Sequence, residues 1–420
     1  MKLLIKQVTI IDNQSEFDQQ IVDIFIENQK IKSISKHIDS KEDVEEIDAK
    51  GQFLTPAGFD LIGSIPEPGE EHKESIESGA LAALHGGFSS IGLLAHELAP
   101  ADKVEQIVYL KSKSKLVDIQ PIGALTNQLK AENMSELFDM QQHGAIAFAQ
   151  NREFVQNAEL MKTVLEYSKN FNGLIFSFPY DYSICKEAMI HEGEISVQMG
   201  LKGIPSRTEQ MGVQRDLVLA DYADVPIHFA CISTKEAVEQ IREAKAKGFK
   251  VSASVAALNI AFSDEVLLDF DPRFKVQPPL RSETDREALI NGLLDGTIDC
   301  IVSNHQPQDQ DAKFCEFSRA NYGVSTYQSV ISSAFEVLKD KMSLSDFMAL
   351  FNHKSKTLAG LESPSISENA EANLCLFSTE NSYKLEKSDW KSKSKESPLI
   401  GKTYHWKAQG IYNKGQWKTL

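Results

Sequence analysis

At 420 residues and 42% hydrophobic, the chain can bury a large core, as two or three domains or as one barrel with an appendage. A formal net charge of −16 argues against nucleic acid and anionic membrane surfaces as partners. No run approaches the ~20 apolar residues of a membrane span, and Met1–Ile10 alternates like a strand rather than a signal peptide, so a cytoplasmic protein is expected. The five cysteines, at 185, 231, 300, 315 and 375, are odd in number and include no closely spaced pair. They read as reduced thiols rather than as a disulfide framework or a structural zinc site.

The chain opens as a small β unit. Leu3–Ile11 and Ile21–Glu27 alternate, Asn28–Lys30 is a turn, and Ile31–Ile34 is a further short strand. Leu54–Asp60 then reads as an apolar strand that runs into a loop rich in proline and glycine, ending at Gly69. A helix is expected to open directly after Gly69 and to close on Gly87, with the next strand starting at Phe88. Further strand-like runs follow at Ser89–Leu94, Val117–Ile122, Ala145–Phe148, Leu174–Phe178, Pro226–Ile232, Lys250–Val255 and Asp299–Ser303, with helical patterns between most of them. In one such helix, Lys235–Gly248, Ser233 or Thr234 is the N-cap, Val238, Ile241 and Ala244 form the buried stripe, and Gly248 is the stop. Strand–helix units in this number argue for an α/β, TIM-type (β/α)8 barrel, whose active site lies at the C-terminal ends of the strands. The Lys-Ser repeats at Lys111–Lys115 and Lys391–Lys395 read as a solvated helix end and a solvated loop.

The stretch Leu54–Gly69 resembles the first strand–helix unit of the dihydroorotases, in the amidohydrolase superfamily. There the strand ends in Asp-x-His-x-His-x-Arg-Glu-Pro-Gly, and the two histidines hold zinc. Asp60, Glu67, Pro68 and Gly69 match, whereas Ile62 and Ser64 stand at the histidine positions and Pro66 at the arginine position. The resemblance continues along nearly the whole chain, through Gly203–Pro205, Arg215-Asp216, Gln277–Arg281 and Gly292–Ile298. Near the C-terminus, Ser394–Gly401 and Ala408–Trp417 match the end of the family pattern. The resemblance implies a barrel over residues 54–365 and a small split β-sandwich formed from both chain ends, 1–53 plus 366–420.

Each strand end departs from the chemistry that the resemblance implies. Gln150 and Asn151 stand where a dihydroorotase has two aspartates, and Ser177 where a histidine follows the fifth strand. Cys231 stands at a histidine ligand position after the sixth strand, and Asn304 at that of the aspartate general acid-base after the eighth. An amide cannot take up a proton near pH 7, so the base role fails separately from the metal role. Zinc lowers the pKa of bound water from about 15.7 to about 7, roughly 12 kcal/mol towards a nucleophile at about 1.36 kcal/mol per pH unit. No single side chain supplies that, and a catalytic zinc needs about three protein ligands. Cys231 reads as a core thiol rather than a ligand, and His228 as a satisfied core residue. His96, Cys231, Arg281 and His305 are the candidates for what remains of a pocket; His96 takes the place of an asparagine that binds the substrate carboxylate in the family.

No catalytic residue and no metal ligand is therefore assigned, and no cofactor is expected. The first reading is a non-catalytic dihydroorotase homologue of pyrimidine biosynthesis. As degenerate members of the family do, it would act as a structural or regulatory partner of aspartate carbamoyltransferase. The alternatives are an active dihydroorotase or other cyclic amidohydrolase with a rebuilt, zinc-holding site, and a small-molecule sensor that uses the old pocket. Family members commonly dimerise, so a homo-oligomer is expected.

Overall fold

The computed structural model describes residues 1–39 and 43–420. Two eight-stranded sheets carry the fold. The first is built from both chain ends. Its N-terminal strands are β1 (Lys2–Ile10), β2 (Ile21–Glu27), β3 (Lys30–Ser35), β4 (Glu45–Asp48) and β5 (Phe53–Pro56). β2 pairs antiparallel with β1 and β3, while β4 and β5 run parallel to β1. Alternation on either side of a β-bulge between Ile5 and Val8 places Leu3, Ile5, Val8 and Ile10 in one apolar cluster with Leu374, Leu376 and Tyr412 from the far end of the chain.

The second sheet is the barrel. Its strands are β6 (Gly58–Gly63), β7 (Phe88–Leu93), β8 (Asp118–Ala124), β9 (Ala147–Ala149) and β10 (Ile175–Ser177). A two-stranded excursion of β11 (Ile190–His191) and β12 (Gly203–Ile204) precedes β13 (Ile227–Phe229), β14 (Val251–Ala256) and β15 (Cys300–Val302). All neighbours are parallel. The barrel closes where β15 meets β6: the Asn304 N–H donates to the Ile62 carbonyl at 3.0 Å and the Ser64 N–H to that of His305 at 2.8 Å. Gly63 sits at this seam, where a Cβ would lie 2.2 Å from the Tyr327 hydroxyl. The chain then returns to the first sheet. β16 (Leu374–Ser378) pairs antiparallel with β5, β17 (Tyr383–Lys384) pairs with β18 (Thr403–Tyr404), and β19 (Lys407–Asn413) and β20 (Gln416–Thr419) extend the sheet beyond β16.

Three sequence expectations are corrected. Leu54–Asp60 is not one strand. Pro56 has no N–H, the Ala57 N–H goes to Asn373 and the Gly58 N–H goes to Gly87, so the chain changes sheets between β5 and β6. The helix expected from Gly69 starts only at Ile76, because Ser75 and Ser78 form a reciprocal capping box and the Glu67 carboxylate takes the Ile76 N–H at 2.7 Å. The Lys391–Lys395 loop is only partly solvated: Ser392 and Ser394 are buried, and their hydroxyls donate to Glu74 and to the Gln308 carbonyl. The helix over Lys235–Ala246 does take its cap from Thr234 and buries Val238, Ile241 and Ala244.

Candidate active site

The strand ends converge on a buried polar centre, where Ser64, Gln150, Ser177 and Asn304 already have side-chain partners in the protein. Asp60, the acid at the first strand end, is fully buried and accepts from the Ser303 N–H (2.7 Å) and hydroxyl (2.6 Å). Burial pushes its carboxyl up to about 7, only partly opposed by those hydrogen bonds and by the Arg152 guanidinium. Ile62 is buried and offers its carbonyl to the barrel seam. Gln150 accepts from the Thr126 hydroxyl at 2.9 Å and donates to the Leu129 carbonyl at 2.7 Å. Ser177 donates to Asp216 at 2.6 Å, whose other oxygen is held by Arg215.

Arg152, which the sequence reading passed over, occupies the middle of this centre. It is 6% exposed. Its Nε donates to Asn304 Oδ1, its Nη1 to the Ser64 hydroxyl and its Nη2 to the His305 carbonyl, each at 3.0 Å. A single guanidinium thus bridges the position of a family zinc ligand, Ser64, and that of the family general base, Asn304. It comes from the loop after β9, directly behind Gln150 and Asn151. The available signal was a cation next to two positions that have lost their carboxylates.

The backbone holds the strand ends in unusual conformations. Asn151, Cys231 and Asn304 all have positive φ, at 49°, 55° and 48°. Asparagine tolerates this region; a cysteine there costs about 1–2 kcal/mol. The Tyr180 hydroxyl donates to the Cys231 carbonyl and the Cys231 N–H donates to the Ser254 hydroxyl, so the turn is fixed from both sides.

Three of the proposed pocket residues are not at the pocket. Cys231 is fully buried among apolar strand residues, and burial pushes its thiol up to about 12 despite Arg152. Arg281 turns inward to Ser233, His191 and the Ile204 carbonyl, close to buried Glu209. His305 lies flat on Tyr327, with ring centroids 3.9 Å apart. Its Nδ1 takes the Thr326 and Tyr327 N–H groups, which leaves the proton on Nε2, 3.8 Å from the Glu74 carboxylate. Burial, then Arg152, push this imidazole well below its ordinary value, so it stays neutral. His228 is likewise satisfied, by Ser252 and Ser254.

Above the centre lies a polar cavity of about 540 Å³ at the barrel mouth, lined by Ser64, Pro66, His96, Asn151 and Arg152 among others. His96 is held at its rim by Glu70, 3.3 Å from Nε2, and Glu70 is also paired with Lys73 at 2.6 Å.

The donors at the centre do not fit a zinc ion. Serine, amide and a protonated thiol are poor ligands, and no group of three or more His, Cys, Asp or Glu residues placed to hold a metal occurs among the described residues. A divalent ion about 4 Å from the guanidinium would be opposed by about 8 kcal/mol at an effective dielectric near 20.

Residues 51–237 match the family described as Dihydro-orotase-like. A dihydroorotase of Caldicellulosiruptor saccharolyticus is 34% identical over 95% of this chain and 94% of its own length. The chain belongs to the dihydroorotase family. A second dihydroorotase, from Citrifermentans bemidjiense, is 32% identical over 99% of both chains. Among solved structures, the L-hydantoinase of Arthrobacter aurescens superposes with a TM-score of 0.85 over 100% of this chain and 97% of its own, at 18% identity. The dihydropyrimidinase of Brevibacillus agri gives 0.83 over 99% and 95%, at 19% identity. These superpositions bear out the barrel with its β unit from the chain ends. They concern the fold alone.

Proposed function

We propose that this chain is a non-catalytic member of the dihydroorotase family. The carrying observation is the Arg152 guanidinium, hydrogen-bonded to Ser64 and Asn304, where the family pattern calls for a metal ligand and a general base. A cyclic amide is opened by a nucleophile made at neutral pH and a base that handles its proton. At those two positions the groups facing one another are a cation, an amide and a hydroxyl, and none of these takes up a proton near pH 7; Asp60, whose carboxyl burial raises to about 7, is fully buried on Ser303 and does not line the cavity. His305 and Cys231, the residues that a rebuilt site would need, are buried away from the cavity. With the chemistry absent and the barrel intact, the retained role is structural or regulatory. The partner that family resemblance suggests is aspartate carbamoyltransferase, in the cytoplasm and with this chain as a homo-oligomer.

The deciding experiment measures interconversion of dihydroorotate and carbamoyl aspartate by the purified, zinc-supplemented protein, with metal content read on the same sample. Neither turnover nor stoichiometric metal is expected. Mixing with the transferase is then expected to change its assembly or its rate. Turnover above a metal-stripped control would overturn the non-catalytic reading, and an indifferent transferase would overturn the partnership.

A further inference from the structure

The helix over Arg207–Ala223 is complete on its inner side. Val213, Leu217 and Ala220 pack into the barrel cluster, and Gly212 lies so close to Pro179 that a Cβ would meet its carbonyl oxygen at 2.4 Å. The outer side is apolar where solvent is expected: Met211, Val218 and Tyr222 are 49%, 63% and 69% exposed. Arg207, Met211, Gln214, Val218 and Asp221, all exposed, follow one another in alternating steps of four and three residues, the spacing of a helix–helix seam. The helices on either side, Ala158–Ser168 and Lys235–Ala246, present charge instead. There Glu166, Glu239 and Glu243 are each paired with a nearby cation. An apolar seam between charged flanks has the anatomy of an interface.

The charges at the ends of the seam say what covers it. Arg207 stands in the first turn and Asp221 in the last, each at the end of the helix dipole that disfavours it. Neither forms an ion pair among the described residues. They lie two heptads, about 21 Å, apart on one face, so they cannot meet within one chain. We infer that this face packs on the same face of a second copy of the chain, with the two helices antiparallel and a two-fold axis near Gln214. The seam is symmetric about that point. Arg207 of one protomer then reaches Asp221 of its partner, and Met211 packs against Val218, each contact being made twice. A parallel pair would set arginine on arginine and aspartate on aspartate, so charge selects the antiparallel one. This contact presupposes the homo-oligomer proposed above and supplies its surface and its axis.

The test is sedimentation velocity of the full chain over a dilution series. The wild type is expected to sediment at twice the chain mass and to dissociate on dilution. Positions 207, 218 and 221 are exposed, so substitution there keeps the fold. Val218→Glu, Arg207→Asp and Asp221→Arg each act twice across the axis, and each should raise the dimer dissociation constant at least about tenfold. The double variant Arg207→Asp/Asp221→Arg rebuilds the pair in reverse and should return to within about threefold of the wild type. A wild-type dimer that Val218→Glu and Arg207→Asp both leave intact overturns this surface while the homo-oligomer stands. A double variant no tighter than its single parents overturns the antiparallel pairing. A wild type that stays monomeric overturns the contact and the homo-oligomer together. If Val218→Glu then also abolishes binding to aspartate carbamoyltransferase, the face belongs to the transferase instead.

Discussion

Asp60 makes the buried centre measurable through pH. Burial raises its carboxyl from the ordinary 3.8 to about 7. In the unfolded chain the group ionises near its ordinary value, while in the folded protein it holds its proton until near neutrality. Stability from this group is therefore fully present below about 4 and is lost as pH rises towards 7. At about 1.36 kcal/mol per pH unit, the whole window is worth about 4 kcal/mol, and the part between pH 5 and pH 8 about 3 kcal/mol. Asp60→Asn removes the titration and keeps the contacts. Its amide oxygen accepts the Ser303 N–H, and its NH2 donates to the Ser303 hydroxyl, which then donates to the Ile62 carbonyl already 3.1 Å away. Urea unfolding of both proteins at pH 5 and pH 8, followed by fluorescence of the buried Trp390 and Trp406, gives the comparison. The stability of the variant relative to wild type should rise by about 3 kcal/mol between the two pH values. Other titrating groups are common to both proteins and cancel. A relative stability that is flat within about 0.5 kcal/mol would refute the assignment of a protonated carboxyl at the centre.

Further consequences follow from the same geometry. Asn304→Asp should not create dihydroorotase activity, because the new carboxylate would be held by Arg152 as an ion pair; turnover above background in a coupled assay would contradict this. Cys231, buried with its thiol pushed up to about 12, should react with a thiol reagent at pH 7.5 only at the rate of unfolding, whereas half-buried Cys315 should react at once; mass mapping of the adducts separates the two. Gly63→Ala should destabilise by about 1–3 kcal/mol, read in urea, because its methyl meets the Tyr327 hydroxyl at the barrel seam; an unchanged midpoint would mean that the seam can open. Glu209→Ala should lose about 3–5 kcal/mol by the same measurement, since the buried carboxylate accepts from the Ser233 and Thr234 N–H and hydroxyl groups, beside Arg281.

The barrel was legible because its signals are local and repeated. Apolar runs of strand length, a capping threonine before Lys235 and a glycine at 248 each report on their own few residues. The split of the first strand was not legible, because it depends on which distant carbonyls receive the Ala57 and Gly58 N–H groups. At the site, the sequence identified the positions that lack ligands and acids, and the structure places Ser64 and Asn304 side by side. It could not show that Cys231, Arg281 and His305 are buried in the wall and do not line the cavity, since that is decided by neighbours far along the chain. Arg152 was missed for a related reason. Looking for residues that could stand in for a ligand passes over a cation that engages the same positions.

That distinction bears on how such a centre persists in a folded chain. Removing zinc ligands one at a time would leave hydroxyls, amides and carbonyls at the barrel centre with no cation to satisfy them, and each buried acceptor without a donor costs about 1–3 kcal/mol. A planar guanidinium supplies several donors in a fixed fork and is less strongly hydrated than an ammonium. Arg152 engages three acceptors from two strand ends that meet at the barrel seam, Ser64 after β6 and Asn304 and His305 after β15. A lysine would bring a single point of charge to the same place, and an apolar residue would leave all three oxygens unpaired. Asn151, Cys231 and Asn304 have left-handed backbone at the ends of β9, β13 and β15. The acceptors at the barrel seam are therefore satisfied by a side chain of the protein itself.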